Sequence, residues 1–186
     1  NRPQEPKGPF PYKIEQVIYE NKSAGGIKLA GTLTIPEGKG KHPVVILISG
    51  SGPQDRDESI LKHKPFWVIA DFFTRNGIAV LRVDDRGVGE SEGTPKDATS
   101  ADFATDVSAG VTFLKSHANI DSKQIGLMGH SEGGLIAPMV ASKDKSIAFI
   151  VLLAGPGVSG KDLLLQQNYD IMRLKNVLST IVINTL

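Results

Sequence analysis

The chain lacks cysteine altogether, and this absence excludes disulfides, thiol chemistry and cysteine-based zinc sites. It also lacks a long hydrophobic run. The longest one, Ile147 to Ala154, has the length of a strand, well below the roughly 18 residues that a membrane span needs. Neither sign of charge predominates, because 21 Lys and Arg stand against 20 Asp and Glu. We therefore expect no nucleic-acid or membrane partner, while the missing cysteines are compatible with either cytosol or periplasm.

The 186 residues, of which 40% are hydrophobic, have the size and composition of one globular domain. Residues 1–14 are polar, rich in proline and without an initiator methionine. We interpret them as an extended arm exposed by cleavage, either of a signal peptide or of an engineered leader.

The hydrophobic pattern changes along the chain from a hairpin to an alternation of strands and helices. Glu15–Glu20 and Ile27–Ile35 are strand-like, and the second alternates apolar with small or polar residues, as a half-buried antiparallel strand does. Four buried strands are then predicted at 44–48, 78–83, 125–128 and 147–154, and helices are predicted from Pro65 to a cap at Gly77, from an N-cap at Ser100, and around 135–141. Such alternation predicts an α/β fold with a mainly parallel sheet and helices on both faces.

A nucleophile elbow is predicted between the third buried strand and the helix after it. The segment Gly129-His130-Ser131-Glu132-Gly133 matches G-x-S-x-G in the strand–turn–helix context that this motif requires. Glycine is needed at 129 and 133 because strand and helix approach closely there, and the turn forces the serine into a strained backbone that exposes its hydroxyl. Ser131 is therefore the predicted nucleophile, whereas His130 is expected to point away and serve packing.

The loop after the first buried strand, Ser49 to Asp57, contains small residues that can bring a backbone N–H to the serine. The predicted oxyanion hole consists of the N–H groups of Ser51 and Glu132. A phosphate-binding loop is the alternative, but the Lys-Ser/Thr pair of that motif is missing.

The segment Asp84 to Ser91, after the second buried strand, has glycines whose spacing does not fit a dinucleotide-binding loop. We expect Arg86 and its acidic neighbours to tie loops together beneath the site.

The three segments together resemble bacterial α/β-hydrolases of the esterase and serine-aminopeptidase-like group, over about residues 15 to 156. The chain differs in having Ser49-Gly50 where family members commonly have His-Gly. The resemblance implies an α/β-hydrolase core over 15–156, a cap insertion beginning within 157–186, a Ser–acid–His triad in that chain order, an acyl-enzyme intermediate, and neither cofactor nor metal.

The acid and base of such a triad cannot be assigned. All four histidines precede Ser131, and the aspartates that follow it (Asp144, Asp162 and Asp170) do not come directly after a core strand. The apolar strand 147–154 would also lie uncovered at the sheet edge, which favours aggregation. We therefore expect a fragment without its C-terminal strands, nearly inactive alone, or a chain whose edge self-associates. The β-branched segment 180–184 is left unassigned.

The sequence favours hydrolysis of a small carboxylic ester, with amide, short-peptide or acyl-thioester cleavage by the same groups as alternatives. A non-catalytic hydrolase-like scaffold that binds a partner through the sheet edge is the alternative from another class.

Overall fold

The computed structural model describes residues 3–174. Its elements in chain order are β1 (Tyr12–Asn21), a 3₁₀ turn (Lys22–Ala24), β2 (Ile27–Pro36), β3 (His42–Ile48), α1 (Pro65–Arg75), β4 (Ala79–Val83), α2 (Ser100–Ser116), β5 (Ile120–His130), α3 (Gly133–Lys143), β6 (Ile147–Leu153) and α4 (Gly160–Leu174). They form two compact units that divide between Gly155 and Pro156. The second unit contains α4, and segment 180–184 lies outside the described residues.

The first unit contains a six-stranded sheet in the order β1-β2-β4-β3-β5-β6. β1 pairs antiparallel with β2 and β2 antiparallel with β4, whereas β4, β3, β5 and β6 run parallel to one another. The prediction of an α/β fold with a mainly parallel sheet is therefore confirmed.

Helices cover both faces of the parallel strands because side chains alternate along each strand. On one face, Ile46 of β3 belongs to the core formed with Val111 of α2 and Ile136 of α3. On the other, Val45 belongs to a second core with Phe66 of α1. Both faces of β3 are thus buried, which explains its continuous apolar sequence.

Several element ends differ from the sequence-based prediction. α2 is capped by Thr99 and not by Ser100, because Thr99 and Asp102 exchange hydrogen bonds in a capping box. β5 begins at Ile120, before the predicted start at residue 125, and β1 begins at Tyr12, within the predicted 1–14 arm. Pro138 lies in the interior of α3.

None of the helices in residues 3–174 combines the length and apolarity needed to cross a membrane.

Candidate active site

Ser131 lies at the corner between β5, which ends at His130, and α3, which begins at Gly133. Its φ of +51° is in the left-handed region that L-residues rarely occupy. The Ser131 N–H donates to the Leu153 carbonyl at 2.9 Å, and the Ser131 carbonyl accepts from the Gly134 N–H at 2.9 Å. The corner is therefore held from both sides while the serine itself stays half-buried.

The two elbow glycines lie where backbones from different elements meet. A Cβ at Gly129 would collide with the Gly133 carbonyl, and a Cβ at Gly133 would collide with the Ile48 carbonyl at the end of β3. Any larger residue at either position must therefore push β5, α3 and β3 apart.

The N–H groups of Ser51 and Glu132 have no hydrogen-bond acceptor within the described residues, and neither do those of the adjacent Gly52 and Gly133. The loop after β3 reaches the corner, since a Cβ at Gly50 would lie 3.3 Å from the Ser131 Cβ. The Glu132 side chain is turned away into a hydrogen bond, in which Ser100 Oγ donates to Glu132 Oε1 at 2.6 Å. The backbone N–H of Glu132 can serve as a donor, because the first N–H groups of a helix have no partner within the helix.

The loop 49–58 is fastened to the two aspartates that follow β4. Ser49 Oγ donates to Asp85 Oδ1 at 2.8 Å, and the Gln54 N–H donates to Asp85 Oδ2 at 3.0 Å. Burial raises the pKa of Asp85 to about 6, and the charges of Asp106 and Glu132 also raise it, although both hydrogen bonds act in the opposite direction.

Asp84 holds the same loop through Arg56. The Arg56 guanidinium pairs with Asp84 Oδ2 at 2.5 Å, and the Arg56 N–H donates to Asp84 Oδ1 at 2.8 Å. Burial raises the pKa of Asp84, but these hydrogen bonds and the charge of Arg56 outweigh it and leave the pKa below its usual value. Arg86 connects a different pair of elements, because its Nε donates to Asp106 Oδ2 of α2 at 2.7 Å.

A contact that the sequence did not predict links this loop to the elbow. Glu58 Oε1 accepts from the Gly50 N–H at 2.7 Å and lies 2.7 Å from His130 Nδ1. His130 therefore makes a polar contact, in contrast to the packing role expected for it. In the sequence Glu58 merely ends a polar run, and nothing in that run indicates a partner 72 residues away.

No histidine hydrogen-bonds to the Ser131 hydroxyl within residues 3–174. His130 pairs with Glu58, and His117 pairs with Glu15 at 3.1 Å. Asp144 caps α3 and pairs with Lys115 at 2.8 Å.

Among the residues that the structure describes, no three His, Asp or Glu side chains are grouped so that they could hold a metal ion. A cavity of about 50 Å³ lies between Asp85, Phe103 and Glu132. It has room for a few water molecules but is far smaller than the roughly 300 Å³ of a small ligand pocket.

Residues 25–178 match the family model described as X-Pro dipeptidyl-peptidase (S15 family). The esterase EstD of Thermotoga maritima is 32% identical over 79% of this chain and 35% of that protein. The thiohydrolase aneE of Aspergillus aculeatus is 34% identical over 68% of this chain and 37% of that protein. The chain thus spans little more than a third of the length of these two relatives.

Solved structures give the same picture. The α/β-hydrolase GrgF from Penicillium sp. superposes with a TM-score of 0.67 and 26% identity, over 88% of this chain and 56% of that one. The esterase Pf2001 of Pyrococcus furiosus gives a TM-score of 0.62 and 28% identity, over 78% of this chain and 52% of that one. The chain therefore belongs to the X-Pro dipeptidyl-peptidase (S15 family) group within the α/β-hydrolase superfamily.

Proposed function

We propose that the protein is a serine hydrolase that cleaves small carboxylic esters through an acyl-enzyme on Ser131. The observation that carries this proposal is the left-handed φ of +51° at Ser131, on a corner where the adjacent Glu132 N–H and the Ser51 N–H of the neighbouring loop have no acceptors in residues 3–174. Strained backbone at a strand-to-helix turn exposes a side-chain oxygen, and unpaired N–H groups next to it can stabilise an oxyanion.

In the first half of the reaction, Ser131 Oγ attacks the acyl carbon and its proton passes to a general base. The carbonyl oxygen becomes an oxyanion that accepts hydrogen bonds from Ser51 and Glu132. The Ser131 N–H is occupied by the Leu153 carbonyl, whereas the Glu132 N–H has no acceptor within the described residues. The intermediate then expels the alcohol, and water releases the acid from the acyl-enzyme.

The base and its acidic partner come from outside residues 3–174 in this proposal. Support comes from two of the histidines, because His117 and His130 are each paired with a glutamate and not with Ser131. We also propose that a cap insertion begins within 157–186.

Ester hydrolysis is preferred over thioester and peptide cleavage because of the relative EstD. It aligns with a larger share of this chain than aneE does, and it is named an esterase. Thioester cleavage has support from the thiohydrolase aneE, and peptide cleavage from the description of the matching family. All three reactions need the same nucleophile and oxyanion hole, so the choice depends on the leaving group.

A substrate panel on the full-length protein tests the proposal. We expect kcat/KM to be highest for p-nitrophenyl acetate, lower for an acyl thioester and lowest for aminoacyl p-nitroanilides. Ser131→Ala should abolish all three activities, with kcat lowered by roughly 10⁴–10⁶. Turnover that survives in Ser131→Ala contradicts the nucleophile, and a preference for the anilides would make the enzyme a peptidase.

A further inference from the structure

Glu58 combines three features that are unusual for a glutamate in a loop. Its residue is 7% exposed, its φ is +50°, and its Oε1 alone meets two partners, the Gly50 N–H and His130 Nδ1. A left-handed backbone at a non-glycine residue costs on the order of 1–3 kcal/mol and persists only where surrounding contacts determine it.

The surrounding contacts that maintain this conformation lie in the same loop. The Glu58 N–H donates to the Asp55 carbonyl at 2.9 Å. Asp55 Oδ1 accepts from the N–H groups of Asp57 and Ser59, both at 3.0 Å. Asp57 in turn pairs with Arg82 of β4. The backbone on both sides of Glu58 is therefore fixed, and its side chain is aimed at the elbow.

The chemistry of the contact fixes its direction. A carboxylate oxygen only accepts hydrogen bonds, so Glu58 Oε1 accepts from both partners and His130 Nδ1 carries the proton. One oxygen thus joins the residue just before Ser51 to the residue just before Ser131. It also occupies the Gly50 N–H, whereas the Ser51 N–H has no acceptor within the described residues.

We propose that Glu58 is a positioning residue that sets the distance between the oxyanion-hole loop and the nucleophile by bridging Gly50 and His130. This inference rests on the proposed function. Oxyanion donors act at 2.7–3.1 Å from the developing charge, and a misplacement of about 1 Å costs on the order of 10²-fold in rate. Loss of the bridge should therefore lower kcat and leave substrate binding largely unchanged.

The chain offers a matched control in a second glutamate–histidine pair. Glu15 of β1 meets His117 at the C-terminal end of α2, at 3.1 Å. The N-terminal end of α2 carries Ser100, which contacts Glu132. A rise of 1.5 Å per residue separates the two ends of this helix by roughly 25 Å, so Glu15 shares the chemistry of Glu58 at a distance from the elbow.

The experiment compares Glu58→Ala, Glu58→Gln and Glu15→Ala in the full-length protein, with kcat expressed per site titrated by a fluorophosphonate. Glu58→Ala should lower kcat by roughly 10²-fold with KM changed less than about 3-fold. Glu58→Gln keeps an acceptor oxygen at the same place and should retain kcat within about 3-fold, as should Glu15→Ala.

Glu58→Asp covers the case in which the alanine variant does not fold, because its shorter side chain cannot reach both partners. It should lower kcat by about 10-fold at unchanged KM. A kcat within 3-fold of wild type in Glu58→Ala or Glu58→Asp, or an equal loss in Glu58→Gln and Glu58→Ala, overturns the inference. If the wild-type enzyme is not labelled at Ser131, the proposed function itself has failed.

Discussion

β5 and β6 are adjacent parallel strands, yet the apolar residues of β5 and those of β6 have different environments. Ile125 and Leu127 of β5 are fully buried, whereas Phe149 and Leu152 of β6 are 41% and 47% exposed. β5 pairs with β3 on one side and β6 on the other, while β6 is the outermost strand of the sheet in the described residues. Neighbouring elements, more than composition, therefore decide which apolar strand is covered.

The loop that faces Ser131 and the edge strand β6 differ in the same way. The loop that faces Ser131 is anchored at Asp84, Asp85 and Glu58, so several contacts hold it in place. β6 contributes the Leu153 carbonyl to the elbow, and within residues 3–174 no further strand pairs with its outer side. The elbow thus depends on β6 remaining paired with β5.

The largest expected effect concerns the general base, which we place outside the described residues beyond the open edge of the sheet. We expect the isolated 186-residue chain to hydrolyse p-nitrophenyl acetate roughly 10²–10⁴-fold more slowly than the full-length protein, because a general base contributes that factor. Steady-state kinetics on both forms measures it. Equal rates would mean that the base lies within these 186 residues.

The next effect tests how tightly β5 is packed at its end. Gly129→Ala should destabilise the protein by about 3 kcal/mol or more, because its Cβ has to displace the Gly133 carbonyl. Gly157→Ala is the control, since nothing lies within 4 Å of a Cβ there. Urea unfolding measures both, and similar stabilities would show that the corner is looser than described.

A smaller effect concerns the loop anchor Asp85, whose pKa is raised to about 6. A raised pKa favours folding below the unfolded pKa, and this contribution is lost as the pH rises through about 6. Asp85→Asn mimics the protonated side chain. Its free energy of unfolding relative to wild type should therefore increase between pH 4 and pH 7.5, by roughly 1–3 kcal/mol.

Urea unfolding at the two pH values checks this prediction. Asp121→Asn serves as the control because hydrogen bonds from Lys123 and Gln124 lower the pKa of Asp121, so its effect is confined to lower pH. A pH-independent difference for Asp85→Asn would contradict an ionised, buried carboxylate at this position.

The smallest effect separates the two edges of the sheet. We propose that the isolated chain self-associates through β6, and Leu152→Lys should weaken this association, since a charged edge resists strand pairing. Ile18 of β1 is 65% exposed, but that strand already carries Lys13 and Glu15, so Ile18→Lys should change little. Sedimentation velocity over a concentration series distinguishes them. A monomeric wild-type chain would remove the proposed role of β6.

Much of the fold of the described residues could be predicted from the sequence, because the patterns that indicate strands and turns are local. Apolar runs indicated β3, β4 and β6, and two glycines around Ser131 indicated a sharp turn. The beginning of β5 was missed because residues 121–124 are polar. The bridge from Glu58 to His130 joins residues 72 positions apart, and only the folded chain brings them together.

The central claim is that Ser131 is the nucleophile, and covalent labelling tests it most directly. The full-length protein is treated with a fluorophosphonate, digested, and mapped by mass spectrometry. We predict a single adduct on the peptide containing Ser131, which is absent in Ser131→Ala. Ester turnover with no adduct at Ser131, or with an adduct on another residue, would contradict the proposed function.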